Sequence, residues 1–412
     1  MNPQPEPSIV LVTIDRASTS VVLSRSDGKE ARFPLTPSPF EDTSVVSRFA
    51  YPLAGDALLA TTTTGDDVLF ELPTRAGADQ RAGRLAVYLD QNKWRDVANA
   101  LTGIGHTTPV EQAAARRLAQ WVKERKIILP ASAGHYAETT KWSDAARRYQ
   151  LGLTILQLSR GWQMRDPLQV RRDELRAALA RHTAAGTEVP VEAVFTLAPD
   201  VIHGAARGWT SSQPSAHLPP VMAFQTASLT SATALIDTML DTERVSPGSV
   251  AGWVEANQKF SDWLDGETRD TQQKRKSIDV LFLNDIRMDI AVEAHAAQLA
   301  PESFSDWVTK QAIEDLIVAP ALGLLREMLH ERHLNKGTTW NTNDLTDMIY
   351  LSCGAGYADF VVCERAMGNA LKQGIKRLKR PVRVFRRLSE VTDTIDEALT
   401  AAGKSADKDP TD

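Results

Sequence analysis

From Ser8 to about Pro73 the chain alternates short apolar runs with polar punctuation. SIVLVTI, TSVVLS, SVVSRFAY, ALLATTTT and DVLFEL are rich in Val, Thr and Leu, and Gly, Asp, Ser and Pro separate them, as in SDGK and GDD. Short apolar runs with turn signals between them predict a small β-rich module over residues 1–75. No catalytic constellation is legible in it, and an accessory or partner-binding role is expected. Glu71 to Arg84 is small, polar and charged, the composition of a linker.

Beyond Arg84 the period changes. LAVYLD is a short apolar run ending in an acid, NKWRDVANAL follows with helical spacing, VEQAAARRLAQWVKERK is an amphipathic helix, and KIILPAS is another short apolar run. GHYAETTKW, from Gly134 to Trp142, opens a helix expected to reach about Ser159. Strand, helix, strand, helix is the pattern of an α/β unit on a parallel sheet, assigned to residues 84–160. From about Pro167 to Lys336 helical spacing dominates, as in RRDELRAALARH, VAGWVEANQKFSDWLD, DIRMDIAVEAHAAQLA and EDLIVAPALGLLREMLHERH. Residues 161–336 are therefore read as a mostly α-helical insertion, with Trp253, Trp263 and Trp307 packing between helices and HGAARGWTSSQPSAHLPP as a loop.

The α/β character returns over 337–400. TNDLTDMIYLSCGAGY reads as a helix capped at Thr342 or Asn343, ADFVVCE as a strand ending in an acid, RAMGNALKQGIKRL as a helix, PVRVFRRL as a last strand and SEVTDTIDEALTAAG as a terminal helix. The polar tail, 401–412, is expected to be disordered. The fold class is α/β: a parallel sheet flanked by helices, interrupted by the helical insertion and preceded by the β-rich module.

Composition narrows the classes of function. The chain has 412 residues, 42% hydrophobic and 24% charged, with a net charge of −5. Those are values of a globular protein without a global basic signature, so a nucleic-acid partner has to be held by local patches. The two cysteines, Cys353 and Cys363, lie in apolar surroundings; this argues against a disulfide scaffold or a thiolate zinc site. No apolar run approaches the ~20 residues of a membrane span, and MNPQPEPSIV lacks the charge and apolar stretch of a signal peptide. A cytoplasmic protein with no membrane partner is expected.

The two α/β stretches place acids where parallel sheets form sites, at the carboxyl ends of strands. Asp90 follows LAVYL and Glu364 follows DFVVC. Glu138 lies early in the helix after KIILP, and Asp344 and Asp347 share one helix face before ADFVV. Brought together, four or five carboxylates repel, and their pKa values rise unless a cation neutralises them. Mg²⁺ or Mn²⁺ suits oxygen donors of this kind, and no soft-ligand cluster competes. Such ions activate water and stabilise charge on a scissile phosphate. Asp359 is weighed as a further ligand or as the anchor of the turn into its strand, the anchor being preferred; Asp96 and Asp144 read as surface acids on helices.

YLDQNKW, HYAET preceded by KIILPAS, and NDLTDMIYLSCGAGYADFVVCER resemble the three acidic motifs of PIN-like domains, nucleases found in bacterial toxin, RNA-processing and defence proteins. The resemblance covers about residues 84–160 and 337–390, and the helical block is an insertion that small PIN toxins lack. It implies a metal-dependent endonuclease, an RNase, with Asp90 as the first-strand acid, Glu138 as the second and Asp347 as the third. Glu364 falls where the family usually places an Asp, and Asp344 competes with Asp347 for the third position.

Asn92 and Lys93, close behind Asp90, are candidates to touch a phosphate, and a helix-start hydrogen bond is the other reading of Asn92. LKQGIKRLKRPVRVFRR concentrates positive charge just downstream of Glu364. Lys376, Arg377, Lys379 and Arg380 are the expected nucleic-acid contacts there. His135, Trp94 and Tyr136 are read first as packed side chains. RNA is the expected partner ahead of DNA; a regulatory protein and a second copy of the chain are further partners considered. The alternative is a catalytically inactive PIN-like module that binds nucleic acid or protein. No phosphate-loop or glycine-rich dinucleotide motif is present.

Overall fold

The computed structural model describes residues 7–34, 40, 43–53, 55–72, 81–183, 186, 188–198, 202, 220–240 and 250–406. The first six strands are β1 (Ile9–Asp15), β2 (Ser20–Arg25), β3 (Glu30–Pro34), β4 (Val46–Pro52), β5 (Ala57–Thr62) and β6 (Asp67–Glu71). They form one antiparallel sheet in the order β3-β2-β1-β4-β5-β6, the module that the turn signals predicted.

The α/β unit starts at β7 (Leu85–Leu89) and continues through α1 (Gln91–Thr102), α2 (Pro109–Lys123), β8 (Ile127–Ile128), α3 (Ala133–Thr139), α4 (Ala145–Ser159), β9 (Gln163–Met164), α5 (Pro167–Ala180) and β10 (Phe195–Thr196). The helical block is α6 (Pro220–Leu240), α7 (Ala251–Gly266), α8 (Thr271–Asp285), α9 (Arg287–Ala296), α10 (Pro301–Lys310), α11 (Ala312–Val318) and α12 (Pro320–Leu334). The chain then returns to the sheet with α13 (Asp344–Tyr357), β11 (Phe360–Val362), α14 (Arg365–Leu378), β12 (Arg383–Phe385) and α15 (Leu388–Ala406).

β12, β11, β7 and β8 pair in parallel in that order. A bridge between Ala131 and Gln163 carries the pairing on to β9, which turns back antiparallel to β10. The sheet therefore reaches into the segment read as helical insertion from residue 161. β9 and β10 are two residues each, too short to show a period. The helix expected from Gly134 to Ser159 is also corrected: it breaks between α3 and α4. Asp144 Oδ1 accepts the Arg147 N–H at 3.1 Å and starts α4 afresh, so this acid is a cap. α15 runs on to Ala406, so 401–406 are helical where a disordered tail was expected. Residues 407–412, the expected loop at 203–219 and residues 73–80 of the expected linker lie outside the described residues.

Strand β7 explains the layering. Ala86 and Tyr88 face one core and Val87 and Leu89 the other, and β11 divides Val361 and Cys363 from Phe360 and Val362 in the same way. Both strands are buried on both faces, which is why they read as unbroken apolar runs. The first core is closed by α5 and α7–α14, the second by α1, α2, α4, α6, α15 and the N-terminal sheet. Buried Glu174 of α5 accepts the N–H groups of Ala321 (2.7 Å) and Leu322 (2.9 Å), capping α12, and the Tyr357 hydroxyl at 2.7 Å. Asp237 of α6 accepts the Ser44 hydroxyl (3.0 Å) and the Val45 N–H (2.8 Å), fastening the N-terminal module. Both cysteines are free and buried. Among the described residues no helix is long and apolar enough to cross a membrane.

Candidate active site

Asp90 is the N-cap of α1, and its Oδ1 accepts the Gln91 N–H at 2.8 Å. Its own N–H donates to the Val362 carbonyl at 2.9 Å, which fixes it beside the end of β11. From these two neighbouring strands the chain leaves in opposite directions, through α1 and α2 to β8 and through α14 to β12. The crevice at such a divergence is where open parallel sheets hold ligands.

Glu138 comes from the short helix α3, whose start is tightly specified. Ser132 Oγ accepts the His135 N–H (3.4 Å), and His135 Nδ1 accepts the Ser132 N–H (3.1 Å), a reciprocal cap. His135 Nε2 then donates to the Leu89 carbonyl at 2.9 Å. Both ring nitrogens are used, burial pushes the imidazole pKa down to about 3, and the ring is a neutral brace. It stacks on Tyr88 with centroids 5.4 Å apart. Trp94 and Tyr136 are both buried in the second core.

Asp347 lies in the first turn of α13. The helix approaches β7 closely at Gly354, where a Cβ would stand 2.6 Å from the Tyr88 ring. Asp344, one turn earlier, is turned to structural work: its Oδ2 accepts the Asn341 N–H at 2.8 Å and pairs with Arg332 of α12. Asn343 is the N-cap by position but makes no side-chain cap bond. Glu364 is exposed at the N-cap of α14. Asp359 lies at the opposite end of β11, where its Oδ2 accepts the Ala86 N–H (2.7 Å) and ion-pairs with Arg81, the anchoring role preferred for it.

Asp90, Glu138 and Asp347 thus arrive from three separate segments and line one recess of about 250 Å³ with Tyr88, Gln91 and Tyr350. Burial raises the Asp90 pKa, the Glu364 charge adds to it, and the Gln91 N–H and Lys93 oppose it. Glu138 is raised by burial and by Asp90 and Glu364, against Lys141. Asp347 is pushed up to about 8 by burial and then by Asp90, Glu138, Asp344 and Glu364. This is the electrostatic signature of acids gathered without enough positive charge.

The donor types are hard oxygens, as a divalent cation requires. Among the described residues no three Asp, Glu, His or Cys side chains yet stand in one coordination shell. A further oxygen belongs to a residue that lines the recess. Gln91 is 7% exposed, its Nε2 donates to Thr139 Oγ1 at 3.0 Å, and its Oε1 is buried without a hydrogen-bond partner. That orphaned acceptor beside three acids fits a cationic occupant.

The basic residues are distributed differently from the expectation. α14 starts at the acid end and runs back antiparallel to its strand, so 14 residues at about 1.5 Å each carry its C-terminus some 20 Å away. Lys376, Arg377, Lys379 and Arg380 are therefore at the opposite end of the strands, not beside Glu364. Arg377 pairs with Glu327 and Glu331, and Arg380 donates to the carbonyls of Ile317, Val318 and Ala319. Lys93 stays near Asp90 and is paired with Asp96 at 2.9 Å; Asn92 lies in the same first turn of α1. Lys141 and Gln91 carry no motif that marks them as site residues in the sequence, whereas Arg386 belongs to the basic stretch after Glu364. Arg386 follows β12 at the acid end, where it donates to Asn369 of α14. Gln91 carries one signal, its adjacency to Asp90, and Lys141 carries none.

No family model matches the chain, and neither a curated protein nor a solved structure matches it.

Proposed function

We propose that this chain is a PIN-like, Mg²⁺- or Mn²⁺-dependent endonuclease that hydrolyses phosphodiester bonds, with RNA as substrate. The observation that carries the reading is the convergence of Asp90, Glu138 and Asp347 on one recess at the divergence of β7 and β11. The choice of RNA rests on the resemblance of the acidic motifs alone.

Asp90, Glu138 and Asp347 would hold the cation, which supplies Lewis-acid stabilisation of charge developing on the phosphate. Asp344 holds the start of α13 through Arg332, keeping Asp347 over the recess. His135 keeps the end of β7 and the start of α3 in register, and so fixes Asp90 relative to Glu138. Lys93 and Lys141 offset the acids' charge toward an incoming phosphate. Glu364, exposed at the start of α14, adds to the negative charge felt by Asp90.

Purified protein incubated with labelled structured RNA, unstructured RNA and single-stranded DNA, with and without Mn²⁺, tests the reading. Cleavage that needs Mn²⁺ and is lost in Asp90→Asn with an unchanged circular-dichroism spectrum supports it. Full activity in Asp90→Asn, or no cleavage of any substrate by the wild type, overturns it; binding without cleavage favours the inactive module.

A further inference from the structure

We propose that Gln91 is a fourth, uncharged oxygen ligand of the cation pocket, its Oε1 serving alongside Asp90, Glu138 and Asp347. This rests on the metal-dependent reading of the same recess and adds a ligand that the three acidic motifs do not contain.

Three observations carry it. Gln91 is the first residue of α1, immediately after Asp90, so the cap that orients Asp90 also orients Gln91: its N–H is the donor to Asp90 Oδ1. Its amide is held against the last turn of α3, where Nε2 donates to Thr139 Oγ1 and Thr139 is fully buried. Gln91 lines the recess and Thr139 does not, and with Nε2 at Thr139 the other edge of the amide is Oε1. That oxygen is buried and has no donor.

A buried acceptor left unpaired costs about 1–3 kcal/mol, and native proteins rarely tolerate it without a reason. Repulsion from three carboxylates would make the placement worse. A cation reverses both effects, since amide oxygens are ordinary ligands of hard cations. A neutral ligand also supplies an oxygen without adding a fourth negative charge to a site already short of positive charge. Thr139 is the positioning residue: it touches no ligand and acts through the amide.

The test is calorimetric titration of Mn²⁺ into metal-free protein in the absence of nucleic acid, beside thermal unfolding of each variant. Wild type should bind Mn²⁺ at the recess, and Asp90→Asn should lose that binding. Gln91→Met, which keeps length and loses the oxygen, should bind about tenfold more weakly, the scale typical of altered metal-site support. Thr139→Val should weaken binding in the same direction while leaving the oxygen in place. Should Gln91→Met fail to fold, Gln91→Asn is the second variant; its amide is one methylene short, and it should also bind more weakly. Wild-type affinity in folded Gln91→Met or Gln91→Asn overturns the proposal and leaves the nuclease reading standing. No Mn²⁺ binding by the wild type overturns both.

Discussion

His135 Nε2 donates to the main-chain carbonyl of Leu89 at 2.9 Å, joining the helix that carries Glu138 to the last residue of the strand that presents Asp90. Two acids 48 positions apart (138 − 90) are thereby spaced by a neutral imidazole whose ring nitrogens bond main-chain groups of Leu89 and Ser132. Replacing it with Phe keeps an aromatic ring against Tyr88 but strands the Leu89 carbonyl and the Ser132 N–H. At about 1–3 kcal/mol for each buried unsatisfied group, His135→Phe should lower stability by roughly 3 kcal/mol in urea unfolding. Mn²⁺ affinity should fall with it.

Asp347 and Asp344 should respond with opposite signs to the same substitution. Asp347→Asn removes a charge that its surroundings oppose, so it should stabilise the metal-free protein while abolishing Mn²⁺ binding. Asp344→Asn breaks the pair with Arg332 and should cost about 2 kcal/mol, and by loosening the start of α13 it should weaken Mn²⁺ binding without abolishing it. Thermal unfolding with and without Mn²⁺ separates the two, and equal effects would contradict the assignment of Asp347 to the recess.

The same acid fixes a pH dependence. The Asp347 pKa is raised from 3.8 to about 8 in the fold, so its contribution to stability is complete below pH 3.8 and is lost as pH rises through 8. The buried imidazoles of His135 and His333, lowered from 6.5 to about 3, work in the other direction but only below pH 6.5. Between pH 6.5 and 8 the acid acts alone among these three, and metal-free protein should lose at most about 2 kcal/mol across that window. Denaturant titrations at the two pH values check this; the slope should flatten in Asp347→Asn and with saturating Mn²⁺.

Gly354 tests the approach of α13 to the sheet without touching an acid. A methyl group there meets the Tyr88 ring, which is buried in the first core and stacked on His135. Gly354→Ala should cost about 1–3 kcal/mol by overpacking, and the displaced helix should carry Asp347 away from Asp90. Reduced Mn²⁺ affinity in a folded variant is the expected result; unchanged affinity would mean that α13 does not position the site.

The course of α14 ranks the basic residues. Lys141→Ala should weaken binding of a single-stranded RNA more than Lys376→Ala or Lys379→Ala, measured by fluorescence anisotropy in Ca²⁺ at low salt. Each phosphate contact removed should also shallow the salt dependence of binding by about one unit of slope. A larger effect at Lys376 or Lys379 would place the nucleic acid at the opposite end of the strands.

The sequence by itself determined the elements that a period can mark. LAVYL and DFVVC are buried on both faces, so each reads as an apolar run with an acid where it ends, and Asp90 and Glu364 were legible for that reason. The short runs with turn residues between them determined the N-terminal sheet in the same way. β9 and β10 were not legible, because two residues have no period, and the break before α4 hides in a Ser-Asp pair that helical spacing passes over. The tertiary structure alone decided which acids share a recess. Asp344 and Asp347 lie on one helix face, and only the position of Arg332, in a different helix, turns the first to structure and leaves the second to the site. It also decided that Lys376, Arg377, Lys379 and Arg380 travel away from the acids while Arg386 returns to their end of the sheet. Sequence adjacency measures contour length, and a helix that packs antiparallel to its strand converts that contour into distance.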